Sequence, residues 1–206
     1  MLLLITATAF LFSANCNKNV SIPCRGGNAG YSFSVTSEFS RQNEVYNVGD
    51  TIFLTSAFSK TLTNLITNTG VDYSNSINIT GNLTTSLMDT STHLITDAPI
   101  GSFIIFPLVG TTSEIINKPE KGVNLFYFEN SLTYDLHIGI KLTKKGLFQL
   151  AVTDLGSQGI RGKNCTNAEF NMTVTNSNKN LNLFQYAIGY APDGLLEKRI
   201  YCFRVN

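Results

Sequence analysis

Charge is scarce in this chain. Asp, Glu, Lys and Arg make up 14% of its 206 residues, against roughly 25% in ordinary soluble domains, and Ser, Thr and especially Asn take their place. Fifteen basic residues against fourteen acidic ones leave a formal charge of +1. No global field is available to draw in a polyanion, which excludes nucleic acid as an expected partner. The local basic clusters are Lys141 with Lys144 and Lys145, and Lys198 with Arg199. A solvated turn and a strand edge explain both.

Recognisable chemistry is just as scarce. There are two histidines. No Cys-x-x-Cys spacing occurs, so a zinc ribbon or a thioredoxin-type site has no support. His-Glu-x-x-His, a Walker loop and a calcium loop are missing, and no Gly-x-Ser-x-Gly elbow supports a serine nucleophile. Gly26, Gly27 and Gly30 are not preceded by a strand or followed by a helix pattern, so they belong to a linker rather than a phosphate loop. No metal and no cofactor is implied. The sequons at Asn19, Asn78, Asn82, Asn164 and Asn171 follow from the abundance of Asn and Thr.

What is present is a core-forming β pattern. Hydrophobic residues reach 43%, enough for one buried core at this length. Tyr31, Phe33 and Val35 alternate with polar residues in the two-residue period of a half-buried strand. A Gly49-Asp50 turn precedes the β-branched run from Thr51 to Leu54. Residues 103–109 form an apolar run interrupted by Pro107, which predicts an edge strand or a bulge. Tyr134, Leu136, Ile138, Ile140 and Leu142 give the cleanest period of two, and Lys144-Lys145-Gly146 then predicts a hairpin into Phe148, Leu150 and Val152. Phe170, Met172 and Val174 alternate again, residues 183–190 read as another strand, and Pro192-Asp193-Gly194 precedes a last strand over 200–205. Residues 71–100 read as short strands and long loops. The one helix candidate is 59–68, with Leu62, Leu65 and Ile66 at helical spacing and Ser59 as a cap. The fold class expected is all-β, an antiparallel β-sandwich with at most one short helix.

The first segment points outside the cell. From Leu2 to Phe12 it is uncharged and largely apolar, too short to span a bilayer but matched to the apolar core of a secretory signal. Ser13, Ala14 and Asn15 then lead to Cys16, and this small-residue segment resembles the cleavage site of a bacterial lipoprotein. The resemblance implies a lipid on the Cys16 thiol and a membrane anchor. Cleavage without lipid and a buried N-terminal strand are the alternatives. Residues 17–30 are polar, Gly-rich and aperiodic, the pattern of a linker, which leaves 31–206 as a single domain.

Export permits disulfides. With Cys16 lipidated, Cys165 with Cys202 is the favoured pair, since both lie in the C-terminal strand region, and Cys24 is the odd thiol. Otherwise Cys16 with Cys24 is a possible second bridge.

Two segments carry a family likeness. Tyr46-Asn47-Val48-Gly49-Asp50-Thr51-Ile52 resembles the early strands of bacterial immunoglobulin-like domains. Gly146-Leu147-Phe148-Gln149-Leu150-Ala151-Val152-Thr153-Asp154 resembles their penultimate strand, with Phe148 where many members carry a Tyr. About fifty residues follow, roughly two strands more than that fold needs. Taken with the leader and the Asn, Phe and Tyr richness, the chain resembles uncharacterised envelope lipoproteins of Bacteroidota. That implies periplasmic or outer-membrane-surface location, or secretion if no lipid is attached, and an immunoglobulin-like sandwich.

Asp135 and His137 share the polar face of one strand and form the best ligand or acid–base pair in the chain, although a solvated strand face is the plainer explanation. His93 sits in a Thr-rich loop. Phe126, Tyr127 and Phe128 are consecutive, so in a strand at least one ring points outward, toward a sugar, a protein partner or a covering loop. The leading functional reading is a non-enzymatic envelope domain that binds a protein or glycan or serves as a structural module. A carrier of a small apolar ligand would show a large Phe-lined pocket. A hydrolase would need His93 or His137 in a cleft with a carboxylate and a nucleophile.

Overall fold

The computed structural model describes residues 30–40, 43–115, 121–175 and 180–206. The expected leader, Cys16, Cys24 and nearly all of the expected linker lie outside the described residues.

The chain enters as β1 (Tyr31–Phe39), whose Phe33, Val35, Ser37 and Phe39 are buried while Ser34, Thr36 and Glu38 face solvent. β2 (Val45–Tyr46) and β3 (Thr51–Ser59) follow, separated by a turn at Gly49. In β3, Ile52, Leu54, Ser56 and Phe58 point inward.

Where a helix was expected, the chain forms the hairpin of β4 (Thr61–Asn64) and β5 (Thr69–Asp72). Three threonines disfavour helix, and Leu62 and Asn64 are buried at a spacing of two while Leu65 and Ile66 are left exposed at the turn. Asn64 fixes that turn. Its Oδ1 accepts from the backbone N–H of Ser32 at 3.1 Å and of Ile66 at 3.2 Å, and its Nδ2 donates to Thr67 Oγ1 at 3.0 Å.

After β6 (Ser76–Ile77), the Ser/Thr/Asn-rich region forms one ten-residue strand, β7 (Thr80–Asp89), and then β8 (Leu94–Asp97). The expected short islands merge because Gly81, Leu83 and Thr85 bury one face continuously. Among the described residues β9 (Phe103–Val109) pairs with a single neighbour, and its register shifts beside Pro107, as the proline predicts. Gly110, at φ 83°, turns the chain into β10 (Thr111–Glu114). A Cβ there would collide with the Phe126 carbonyl oxygen, so only glycine fits.

β11 (Gly122–Phe126) and β12 (Phe128–Glu129) flank Tyr127, and β13 (Thr133–Leu142) buries Tyr134, Leu136, Ile138, Ile140 and Leu142. β14 (Gly146–Ser157), β15 (Gly159–Ile160) and β16 (Ala168–Val174) complete the middle of the chain.

Residues 181–188, expected mostly as strand, are the helix α1 (Leu181–Ile188). The buried positions Leu183, Phe184, Ala187 and Ile188 lie on one helical face, and Gly189 ends the helix in left-handed conformation, its N–H donating to Gln185 O. β17 (Ile200–Val205) closes the chain.

The fold is all-β with one helix among the described residues, and its strands are mixed rather than wholly antiparallel. β1 pairs parallel with β16 through Tyr31–Ser37, then antiparallel with β3 through Glu38 and Phe39. It thereby joins a sheet ordered β10-β11-β7-β14-β16-β1 to one ordered β3-β13-β12, with β9 also on β13. β17 pairs with β14 and, in parallel, with β2.

The expected β13–β14 hairpin does not form. β13 pairs with β3, β9 and β12, and β14 pairs with β7, β16 and β17. The Lys144-Lys145-Gly146 turn therefore carries the chain from one sheet to the other, as does the turn between β2 and β3. Alternation alone reveals which face is buried but not which strand lies alongside.

One core cluster is lined from both sheets, with Phe33, Leu83, Phe148, Leu150 and Phe203 on one side and Ile52, Leu54, Ile138 and Ile140 on the other. Four of its tyrosines keep their polar ends satisfied. Tyr73 Oη donates to Thr166 O at 2.7 Å, Tyr134 Oη to Tyr73 O at 2.8 Å, and the Tyr46 and Tyr201 hydroxyls meet at 2.9 Å. A second cluster lies where α1 packs, and includes Leu147, Ala151, Ile200 and Cys202. β14 is therefore buried on both faces along most of its length.

Cys202 is a free, buried thiol, so the expected Cys165–Cys202 bridge is not formed. Cys202 lies opposite Gln149 on β14, whereas Cys165 is an exposed turn residue beyond the Ser157–Ala168 pair. Eight residues of strand between Gln149 and Ser157 span about 26 Å at 3.3 Å each, far beyond disulfide reach.

Candidate functional site

Directly paired residues on neighbouring strands project to the same side of a sheet. The outward side of β13 therefore presents a series of rows. Phe128, Asp135 and Ala57 form the first, and Val109, His137, Thr55 and Glu38 the second. Phe106, Gly139 and Phe53 form the third, and Ile104, Lys141 and Thr51 the fourth. The structure brings Asp135 and His137 onto one face, as expected, and adds the outward ring of Phe128 beside them, 54% exposed.

The three consecutive aromatics separate because the chain changes sheet between them. Phe126 ends β11 in the first sheet, and Phe128 begins β12 in the second. Tyr127 lies at the junction with its ring against Phe58 at 5.3 Å and its hydroxyl buried. Burial pushes that phenol well above the ordinary tyrosine range, an effect the nearby Ser56 hydroxyl reduces.

Each member of the expected pair has its own surroundings. Asp135 Oδ1 accepts from Thr133 Oγ1 at 2.9 Å and Oδ2 from Asn130 Nδ2. Asn130 also caps the turn, its Oδ1 accepting from the N–H of Leu132 and of Thr133, both at 2.8 Å. His137 makes an edge contact with the Phe53 ring at 5.4 Å between centroids. No hydrogen bond joins Asp135 to His137 among the described residues. The second histidine, His93, places Nδ1 at 2.8 Å from the Ala187 carbonyl and so ties its loop to the last turn of α1.

Between these rows runs a trough of about 360 Å³. Thr36 and Glu38 stand on one side and Asp135 and His137 on the other, with Thr55 and the small Ala57 between and Val109 at the end. Among the described residues its lining contains two carboxylates, Glu38 and Asp135. Sequence alternation located Asp135 and His137, but the other wall comes from β1 and β3, whose adjacency no local pattern announces.

A second groove, about 730 Å³, is formed by residues including Leu87, Met88, Lys145, Tyr186 and Arg204, with no phenylalanine among the described residues. The buried phenylalanines pack on other rings instead, as Phe103 does on Phe148 at 5.0 Å and Phe33 on Tyr73 at 5.1 Å. Among the described residues no group of three or more His, Cys, Asp or Glu is placed to hold a metal ion.

No protein-family model matches this chain, and no curated protein matches it.

Proposed function

We propose that this protein is an exported cell-envelope domain, anchored through a lipid on Cys16 as in Bacteroidota envelope lipoproteins, that acts by binding rather than by catalysis. In this reading its all-β frame is an immunoglobulin-like sandwich with extra strands, and the outward side of β13 is the contact surface.

The observation that carries the reading is the uncovered face itself. Phe128 and Ile104 are each 54% exposed on it, and a polar trough begins at Asp135, the residue paired with Phe128. Apolar groups held outward on a rigid sheet next to hydrogen-bonding groups suit recognition. A catalytic role for the pair is disfavoured because Asp135 is engaged with Asn130 and Thr133 rather than orienting His137, and a general base needs such an orienting partner.

Mass spectrometry of the mature N-terminus, together with fractionation of the producing cell, tests the anchoring. The expected result is a diacylglyceryl group on Cys16 and recovery with membranes. A chain recovered from the cytosol with residues 1–15 intact would overturn it. A Phe128→Asp and Ile104→Asp double variant tests the surface, and is expected to fold normally and lose whatever the parent protein retains from the envelope.

A further inference from the structure

We propose that Cys24 is bonded to Cys165, in a disulfide that clasps the chain's entry segment to the turn before β16. The bond rests on the export reading, because it needs an oxidising compartment, and it adds a second tie between the lipid tether and the folded domain.

Cys165 is engaged in a disulfide. The other cysteine among the described residues, Cys202, is buried and free, so the partner sulfur comes from Cys16 or Cys24. Cys165 is exposed in the turn between β15 and β16, where a partner can reach it. That turn is pinned from beneath. Thr166 Oγ1 accepts from the Ile160 N–H at 2.7 Å, and Tyr73 Oη donates to Thr166 O at 2.7 Å.

The same turn receives the start of β1. The Gly30 N–H donates to Asn167 Oδ1 at 3.2 Å, and the Tyr31 N–H to Asn167 O at 3.1 Å. Gly30 packs so closely that a Cβ on it would overlap the Cys165 carbonyl oxygen. Followed toward its N-terminus, the chain therefore leaves the described fold at Cys165 itself. Cys24 lies six positions before Gly30 and Cys16 fourteen. Six residues reach about 20 Å at most, ample for returning to the Cα separation of about 4.4–6.8 Å that a disulfide requires. Loop closure favours the shorter segment about threefold to fourfold, and a Cys16 that carries lipid has no thiol left to pair.

Forming the bond is a two-electron oxidation. Both thiols give up their protons and one Sγ–Sγ bond forms. The electrons pass by exchange, through a mixed disulfide, to the disulfide of an envelope dithiol oxidant, which leaves as two thiols. The anchor then joins the domain at Cys24, only eight positions from Cys16. The free tether shortens from about 50 Å to about 29 Å at full extension, and the end of the fold that carries the β15–β16 turn is held toward the membrane.

The test is peptide mapping of the full protein purified from the envelope, alkylated under denaturing conditions without reduction. Trypsin separates every cysteine, because Cys16 falls on a peptide ending at Lys18, Cys24 on 19–25, Cys165 on 164–179 and Cys202 on 200–204. The expected result is 19–25 joined to 164–179, with Cys202 alkylated and the protein monomeric on a non-reducing gel. Cys24→Ser and Cys165→Ser should each lower the thermal midpoint, by about 5 °C or more, and the double variant should fall no further than the lower of the two.

A join between the Cys16 peptide and 164–179 overturns the assignment and the lipid anchor together. Alkylated Cys24 and Cys165 in a protein with lipid on Cys16 overturn the clasp and leave the envelope reading standing. A disulfide-linked dimer, or losses in the two single variants that add, also overturns the clasp.

Discussion

Phe106 lies across Gly139 on neighbouring strands, its ring so close that a Cβ at Gly139 would overlap three ring carbons. The glycine is fully covered, although it sits on the outward side of β13. Gly139→Ala should therefore force Phe106 off the sheet and cost about 1–3 kcal/mol, the usual penalty for overpacking. Chemical denaturation would measure the loss, and Gly139→Ala combined with Phe106→Ala should recover part of it.

Asn64 should matter more than its place in a Thr-rich hairpin suggests. It is 3% exposed and serves two backbone donors and one hydroxyl. Asn64→Leu leaves the N–H of Ser32 and of Ile66 without that acceptor, at an expected cost of about 1–3 kcal/mol. Amide exchange should speed up at Ser32 and Ile66 and stay unchanged in β14.

Alkaline pH should destabilise the fold through its buried acids. Burial pushes Tyr134 up to about 12, against the smaller pull of the Ser76 backbone, and raises Tyr73 and Tyr201 in the same direction. Burial likewise pushes the Cys202 thiol up to about 12. Each folded value lies above the unfolded one, so this stabilisation is complete below pH 9 and is lost as pH rises toward 12. Denaturation midpoints measured across that range should fall, and phenol absorbance should show these tyrosines ionising only with unfolding.

The same thiol gives a direct packing test. Cys202 is shielded beneath α1, so an aromatic disulfide reagent should leave it untouched in the native protein and label it at the rate of global unfolding. Rapid labelling under native conditions would mean that α1 lifts away locally.

At the acid end, the Ser91 hydroxyl, followed by the Ser91 N–H and the Thr92 hydroxyl, holds Asp89 down at about 2. Its folded value lies below the unfolded one, so its contribution is present above about pH 4 and is lost as pH falls through 2. A carbon-detected titration should place its midpoint near 2. Ser91→Ala should return it toward the ordinary aspartate range.

The sequence showed the inward and outward sides of strands well, because a period of two directly records which side chains meet water. Ile138 and Ile140 are buried, and Asp135 and His137 face outward, as alternation requires. It was weaker wherever the answer depended on distant residues. Leu65 and Ile66 read as helical, yet the Asn64 bond to Ser32 makes their segment a hairpin turn. The spacing of Leu183, Phe184, Ala187 and Ile188 before Gly189 carried a helix signal that a solid apolar run concealed. The trough was legible on its β13 side only, because Thr36 and Glu38 reach it through a register set by the whole fold.

The parallel pairing of Tyr31–Ser37 with Ala168–Val174 has a kinetic consequence. A polypeptide made from its N-terminus offers β1 no lasting neighbour on that side until Ala168–Val174 has emerged. Closure over so large a separation is slow. Such a molecule stays pliable while its middle is being made and locks only when the late strand arrives.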